Sequence, residues 1–579
     1  MNSASVVRSA RAWLPALPVL LFLAVFFAAP VLEILLGSLK SSSGQFGLEQ
    51  YERLASNAVY TKVLWTTFRI AFLTAAICLV IGYPVAYLLS QLGQRGRGRW
   101  LVWVLIPFWT SYLVKTFAWI LLLSKTGVLG SLVVGLGIAS EAQAITPSLT
   151  AVLIGMVHGM LPLAVMTMLP IMQGINAQLS QAAQTLGANR PIAFFSVFLP
   201  LSAPGIAAAG LLVFITSLGF FIVPALLGTP RETMIAQLVL TAVLDLLNMP
   251  FAGALSTILL ACAIVVFLLY DRLVGLSSLS GDSTSAPRGR GLAAIMGVLV
   301  STGRLFGHVA GFLGRLTTRR AGPLYTGLKV YSFAVVALLT LPIAIILPIA
   351  FTDSQFLSFP PRGFSLRWFE TFLYSPIWQA ALMRSFGVAT VTALLSVAMG
   401  LGAALALTRL SPPWAKSLFV FLIAPLIVPR IAIAVGLFYL FARLGLVGTD
   451  VGLVIGHTVL AIPYVLVTLA AALKSFDWRL DDAARILGAS AFARLRTVLL
   501  PLIAPSVASA FLFAFLTSFD DLTIAIFVSS GLKTTLPKQM WDDMSLQVNP
   551  TLAAVSTLLV LGIAIVVLIL SSFRRNKPS

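Results

Sequence analysis

Residues 181–187 read Gln-Ala-Ala-Gln-Thr-Leu-Gly, and residues 482–488 read Asp-Ala-Ala-Arg-Ile-Leu-Gly. They open two longer segments, 181–220 and 482–521, which align without a gap at an offset of 301 with 17 of 40 positions identical. A repeat of this kind means that the chain holds two copies of one structural unit. Ala182-Ala183 and Ala483-Ala484 present almost no side-chain bulk, so another backbone can approach them closely. Gly187 and Gly488 supply the positive φ that reverses the chain after a short helix. Pro200 and Pro501 suit the first turn of a new helix. The spacing predicts a short helix, a glycine turn and a second helix, twice over. Such a chain looks built to seat two copies of something.

Around this repeat the composition names the solvent. Of 579 residues, 59% are hydrophobic and only 10% are charged, where a soluble domain carries about 25%. So few charges cannot cover a water-facing surface, which excludes an ordinary soluble enzyme. The net charge of +20 does not indicate nucleic acid, because a nucleic-acid binder gathers Lys and Arg on one polar face. Here they are spread between apolar runs long enough to cross about 30 Å of hydrocarbon, so lipid is the expected surrounding. Cys78 and Cys262 lie in apolar runs, and His158, His308 and His457 are far apart, so no metal site is expected. The apolar run from Trp13 to Leu36, after Arg8 and Arg11, exceeds a signal-peptide core and reads as a retained first helix.

Apolar runs fall near residues 14–37, 63–92, 101–124, 148–173, 200–224 and 251–270, and again near 327–350, 378–407, 417–442, 452–473, 501–528 and 551–572. The expected fold is an all-α polytopic membrane protein of about twelve spans in two homologous six-helix halves, 1–270 and 327–579. Arg95, Arg97, Arg99, Arg409, Lys416, Arg479, Arg485, Arg494, Arg496, Arg574, Arg575 and Lys577 all fall on one side if the spans alternate. By the excess of basic residues in inner loops, that side is cytoplasmic and holds both termini. The join, 271–326, reads as a Ser/Gly-rich linker with an amphipathic helix on the inner surface near 292–316.

The repeated motif resembles that of bacterial ABC importer permeases, a cytoplasmic Glu-Ala-Ala-x-x-x-Gly, nine further residues, then Ile-x-Leu-Pro. The first copy supplies Gln181, Ala182, Ala183, Gly187, Val197, Leu199 and Pro200; the second supplies Asp482, Ala483, Ala484, Gly488, Val498, Leu500 and Pro501. The resemblance implies the type I importer fold, in which loops 181–196 and 482–497 are coupling helices docked on two copies of a cytoplasmic ATPase. It also implies a periplasmic or lipid-tethered solute-binding protein outside a bacterial inner membrane. ATP and Mg would be held by the ATPase partners and no cofactor by this chain. Gln181 departs from the family's Glu while Asp482 keeps a carboxylate, which puts in doubt an ionic contact worth up to about 1 kcal/mol at a partly exposed site. No Gly-Lys-Ser/Thr occurs in the chain, and a phosphate-binding loop needs that Lys and hydroxyl. The expectation is a transport subunit, not an enzyme.

A narrower likeness concerns the cargo. The first half resembles the B-type permease of a spermidine/putrescine importer through Gly82-Tyr83-Pro84-Val85-Ala86-Tyr87, Pro107-Phe108-Trp109-Thr110-Ser111-Tyr112, Ala118-Trp119 and Ser217-Leu218-Gly219-Phe220-Phe221. The second half resembles the C-type partner through Ser518-Phe519-Asp520-Asp521 and Leu536-Pro537. Ionisable groups inside spans are expensive and usually functional. Asp520 and Asp521 would attract an amine, and Trp109 and Tyr112 either stack on an alkylammonium or simply pack. Arg430, near Pro425 and Pro429, and Lys115 in the other half favour an anionic group instead. A polyamine leads; an aminophosphonate, opine, amino-acid-like or ferric-iron cargo stays open, since fused permeases also occur among ferric-iron and aminophosphonate systems. A secondary transporter shares the twelve-span plan but leaves the duplicated hairpin unexplained.

Overall fold

A computed structural model describes residues 12–40, 45–125, 127–130, 145–273, 322–357, 359–361, 363–531, 533–546 and 548–575. Arg8, Arg11, Lys577 and the linker with its surface helix near 292–316 lie outside the described residues.

The first half contains α1 (Leu14–Gly37), α2 (Ala58–Gln91), α3 (Gln94–Trp109), α4 (Tyr112–Leu123), α5 (Leu149–Gln173) and α6 (Ala177–Thr185). It continues with α7 (Arg190–Leu218), α8 (Ile222–Leu227) and α9 (Met249–Leu273). The second half repeats the order. It contains α10 (Gly322–Ala350), α11 (Pro376–Arg409), α12 (Pro412–Ile427), α13 (Arg430–Leu444), α14 (Asp450–Lys474) and α15 (Trp478–Ile486). There follow α16 (Ala491–Phe519), α17 (Thr523–Val528) and α18 (Pro550–Arg575). Among the described residues ten helices are individually long and apolar enough to cross a membrane, or eleven if the bent α12–α13 pair counts as one span. The described residues thus show ten to eleven of the twelve spans that the hydropathy predicts, with α18 a shorter apolar helix over Pro550–Ile565.

Four of the expected spans need correction. Residues 101–124 and 417–442 are not single helices. The first breaks at Thr110-Ser111, ψ 135° and 140°, and the second at Val428-Pro429, ψ 128° and 129°, where α12 and α13 bend by 94°. Pro429 drives Val428 out of helical space, and Ser111 caps α4 by accepting the Leu113 N–H at 3.3 Å. The runs 200–224 and 501–528 start too late and also break. Helices α7 and α16 begin at Arg190 and Ala491, so Pro200 and Pro501 do not open them. Each proline instead follows a one-turn π segment, Phe194–Phe198 or Leu495–Leu499. That wider turn accommodates a residue with no N–H to donate.

The chain forms two compact units, and they are not the two sequence halves. One comprises residues 1–58, 236–261 and 371–547; the other comprises 59–235, 262–370 and 548–579. In the first unit α11, α14 and α16 pack together and α1 lies along α11 and α13. A Cβ on Gly402 of α11 would stand 2.3 Å from the Pro15 carbonyl oxygen of α1, so only glycine allows that approach. Trp13 meets Trp414 edge-on at 5.9 Å, and Glu33 pairs with Arg443 at the other end of α1. In the second unit α5 and α7 pack together, and α10 and α18 join α3 and α4. His158 Nε2 of α5 donates to the Leu339 carbonyl of α10 at 2.9 Å. The first span of each half is thus built into the core of the other.

Both units use one device to anchor the segment after the fifth span. Thr67 Oγ1 of α2 accepts the buried Ile235 N–H at 2.9 Å, and Ser385 Oγ of α11 accepts the buried Leu536 N–H at 2.8 Å. Each hydroxyl satisfies an amide that would otherwise stand unpaired in an apolar core.

Candidate functional site

The repeated hairpins have the same backbone to the level of single hydrogen bonds. The Leu186, Gly187 and Ala188 N–H groups donate to the Ala182, Gln184 and Ala183 carbonyls at 3.1, 3.0 and 3.0 Å. Those of Leu487, Gly488 and Ala489 donate to the Ala483, Arg485 and Ala484 carbonyls at 3.1, 3.0 and 3.0 Å. With φ of +93° at Gly187 and +83° at Gly488, each is a helix end of the Schellman type. The short helices are capped at their starts by Asn176 and Asp477, which accept the Gln178 and Arg479 N–H groups at 2.9 and 3.1 Å. Asn189 and Ser490 then cap α7 and α16 in the same way, accepting from Ile192 and Ala493 at 2.9 and 3.2 Å.

These hairpins display apolar side chains. Helices α6 and α15 bury no residue, while Leu186 is 88% and Leu487 86% exposed, with Leu179 and Leu480 beside them. A leucine is held outward at the same point of both matching turns, where nothing in its own fold requires it. Gln181 and Asp482, with Ala182, Ala183, Ala483 and Ala484, lie on these short helices next to the exposed leucines.

The second group of candidates gathers at the helix breaks. In one unit Lys115 is buried; its Nζ donates to the Pro107 carbonyl at 3.1 Å and lies 4.1 Å from the centroid of the Tyr112 ring. Thr110 leaves helical conformation at the end of α3, so no backbone amide continues the ladder at Pro107, and the ammonium takes that place. Tyr112 meets Phe220 edge-on at 5.0 Å, which joins the α3–α4 break to the α7–α8 break. Trp109 ends α3 and packs edge-on against Phe108 at 5.0 Å.

In the other unit Arg430 opens α13, and its Nη2 donates to Tyr464 Oη at 3.3 Å. Asp520 is partly exposed and ends α16. Asp521 is buried: its Oδ1 accepts the Ile524 N–H at 2.8 Å and faces His457 Nε2 at 3.6 Å, both side chains being 1% exposed. His457 Nδ1 and Ser518 Oγ are 2.7 Å apart. Neither His457 nor Ser518 was among the expected site residues, although a histidine inside an apolar span is itself a reason to look. Asp542 and Asp543 are held locally in the helix Leu536–Leu546 by Lys538 at 2.6 Å and Gln539 at 2.9 Å.

The chain is similar to the spermidine/putrescine transport system permease protein PotB of Haemophilus influenzae, 33% identical over 230 residues covering 39% of this chain and 80% of that protein. The chain belongs to the binding-protein-dependent ABC importer permeases. The family described as binding-protein-dependent transport system inner membrane component matches residues 396–576. The permease protein PotC of the same organism is 33% identical over 249 residues, 43% of this chain and 96% of that one. Each match takes about two fifths of the chain, so this permease is about twice the length of either relative, as a fusion of two permeases must be. Among solved structures, a chain of a bacterial alginate ABC transporter in complex with alginate pentasaccharide-bound periplasmic protein is similar at 18% identity and a TM-score of 0.41, covering 46% of this chain and 95% of that one.

An importer permease is a transport component of the inner membrane, crosses it many times, and works with ATPase subunits and a solute-binding protein. Membership of the family displaces the secondary-transporter reading.

Proposed function

We propose that this chain is the transmembrane permease subunit of a polyamine-type importer and moves a small amine-bearing solute inward. The 33% identity to both a PotB and a PotC permease carries the reading, because those relatives are named for spermidine and putrescine transport. Two copies of a cytoplasmic ATPase grip the hairpins 181–196 and 482–497 and hold the ATP and Mg. A periplasmic or lipid-tethered binding protein delivers cargo to the outer face, and both termini lie inside. Closure of the ATPase pair draws the hairpins together and turns the pathway outward; hydrolysis reopens it inward. Selectivity resides mostly in the binding protein, so the pathway needs only loose contacts with its cargo.

The cations that favoured an anionic cargo have duties of their own. Lys115 occupies the Pro107 carbonyl and Arg430 bonds Tyr464, each at a helix break. Asp520, partly exposed at the end of α16, puts a carboxylate beside the second break. The test is to reconstitute the chain in proteoliposomes with its ATPase and binding protein and to follow ATP-dependent uptake of labelled spermidine and putrescine. Mass spectrometry of the solute carried by the purified binding protein gives the same answer independently. A bound di- or triamine with matching uptake supports the proposal; a bound opine, phosphonate or ferric ion ends it.

A further inference from the structure

The two halves treat the break after their fifth span differently, although its backbone is the same in both. The Phe220 N–H donates to the Ser217 carbonyl at 3.2 Å and the Ala225 N–H to Phe221 at 3.0 Å; the Asp521 N–H donates to Ser518 at 3.3 Å and the Ile526 N–H to Leu522 at 2.9 Å. The side chains differ at the same 301 register. The first half has Met156, Gly219 and Phe220 where the second has His457, Asp520 and Asp521. In the first half Ser217 Oγ is buried without a hydrogen-bond partner. In the second the matching Ser518 Oγ bonds His457 Nδ1 at 2.7 Å.

We propose that His457 is a positioning residue of the cargo pathway, a clamp that holds the α16–α17 break in one geometry. One imidazole touches both sides of it. Its Nδ1 bonds Ser518 on the last turn of α16, and its Nε2 faces Asp521 at 3.6 Å, whose other contact fixes the first turn of α17 through Ile524. Asp521 is thereby committed to the fold, and its partly exposed neighbour Asp520 is held at a defined point of the pathway. His457 Nε2 and Asp521 Oδ2 form no hydrogen bond, so a shorter approach on closure would repay two buried polar atoms. The first half carries Gly219 and no clamp at its break, which makes that break the compliant one of the pair. The inference rests on the polyamine reading only for its transport readout.

The experiment compares wild type with His457→Leu and His457→Gln in the full importer. His457→Leu removes both contacts at similar volume, while His457→Gln keeps an amide facing Asp521. Expected for His457→Leu are unchanged ATPase activity without binding protein, an unchanged maximal uptake rate, and a half-saturating spermidine concentration raised about tenfold, the equivalent of one lost hydrogen bond. His457→Gln restores most of that loss. Amide exchange of the peptide Leu522–Val528, measured without cargo, should quicken about tenfold in His457→Leu and much less in His457→Gln. If spermidine is not the cargo, uptake fails in all three proteins and the exchange difference remains, so the two proposals fail separately. Equal exchange of that peptide in all three proteins overturns the clamp.

Discussion

Arg494 and Asp481 form an ion pair across the second hairpin, Nε to Oδ1 at 3.0 Å, and no such brace exists in the first. Arg494 Nη1 also donates at 3.3 Å to the carbonyl of Ala489, the residue after the glycine turn. At the equivalent positions the first hairpin carries Ser180 and Ala193. The two hairpins therefore share a backbone but differ in side-chain bracing and in charge. That difference adds to the asymmetry already visible at Gln181 and Asp482.

Removing the brace should loosen one seat only. Asp481→Ala and Arg494→Ala should each weaken ATPase binding to the detergent-solubilised permease by about fivefold, the equivalent of about 1 kcal/mol for a half-buried pair. A double-mutant cycle should return most of that value as coupling. Additive losses would show that the pair does not brace the hairpin.

The glycine turns give a sharper test, because space and conformation separate there. A Cβ at Gly187 or Gly488 meets nothing within 4 Å, so bulk is not forbidden; only the positive φ is. Gly488→Val should cost about 1–3 kcal/mol of turn stability, uncouple ATP hydrolysis from uptake and leave the spans folded by circular dichroism. Gly488→Asn, which tolerates left-handed backbone, should retain most of the coupling. Equal behaviour of the two variants would remove the conformational argument.

Leu186 and Leu487 are so exposed that neither contributes to the fold of its own hairpin. Leu186→Ser and Leu487→Ser should leave thermal unfolding unchanged while reducing ATPase affinity by tenfold or more each, since burying a leucine at an interface is worth about 1.5–3 kcal/mol. The double variant should bind more weakly than either single one. Unchanged affinity in all three would mean that the partner docks elsewhere.

How much of this was legible in the sequence depends on the distance over which each signal acts. The hairpins were readable because helix, turn and cap all act within ten residues, and Gly187 and Gly488 state their φ directly. Most of the spans and their order followed from apolar length. The breaks at Thr110-Ser111 and Val428-Pro429 were not located, because hydropathy does not change across them; only Pro429 announced one. Exchange of the first spans was invisible, since the matches of Gly402 to Pro15 and His158 to Leu339 join residues far apart in the chain. At the candidate pathway Asp521 was found as an unusual charge, but its commitment to His457 needed the fold.

The paired hydroxyl anchors predict equal losses in the two units. Thr67→Val and Ser385→Ala each strand a buried amide, that of Ile235 or Leu536, at a cost of about 1–3 kcal/mol. Both should lower the unfolding temperature of the purified permease by several degrees, and Thr67→Ser, which keeps the acceptor, should stay near wild type. Full stability of Thr67→Val would argue that water or another group takes the Ile235 amide.

One helix supplies both a test of the exchanged first span and its control. On α11, a Cβ at Gly402 would sit 2.3 Å from the Pro15 carbonyl oxygen of α1, whereas a Cβ at Gly387 meets nothing within 4 Å. Backbone cannot yield as a side-chain tip can, so Gly402→Ala must push α1 away at a cost of about 1–3 kcal/mol. Gly387→Ala should be neutral or stabilise by up to about 1 kcal/mol through helix propensity alone. The edge-on contact of Trp13 with Trp414 at 5.9 Å reports the movement, so tryptophan emission should shift in Gly402→Ala and not in Gly387→Ala. Helix propensity predicts the same gain for both substitutions, so any difference in sign between them measures how tightly the first span is held by the core of the other half.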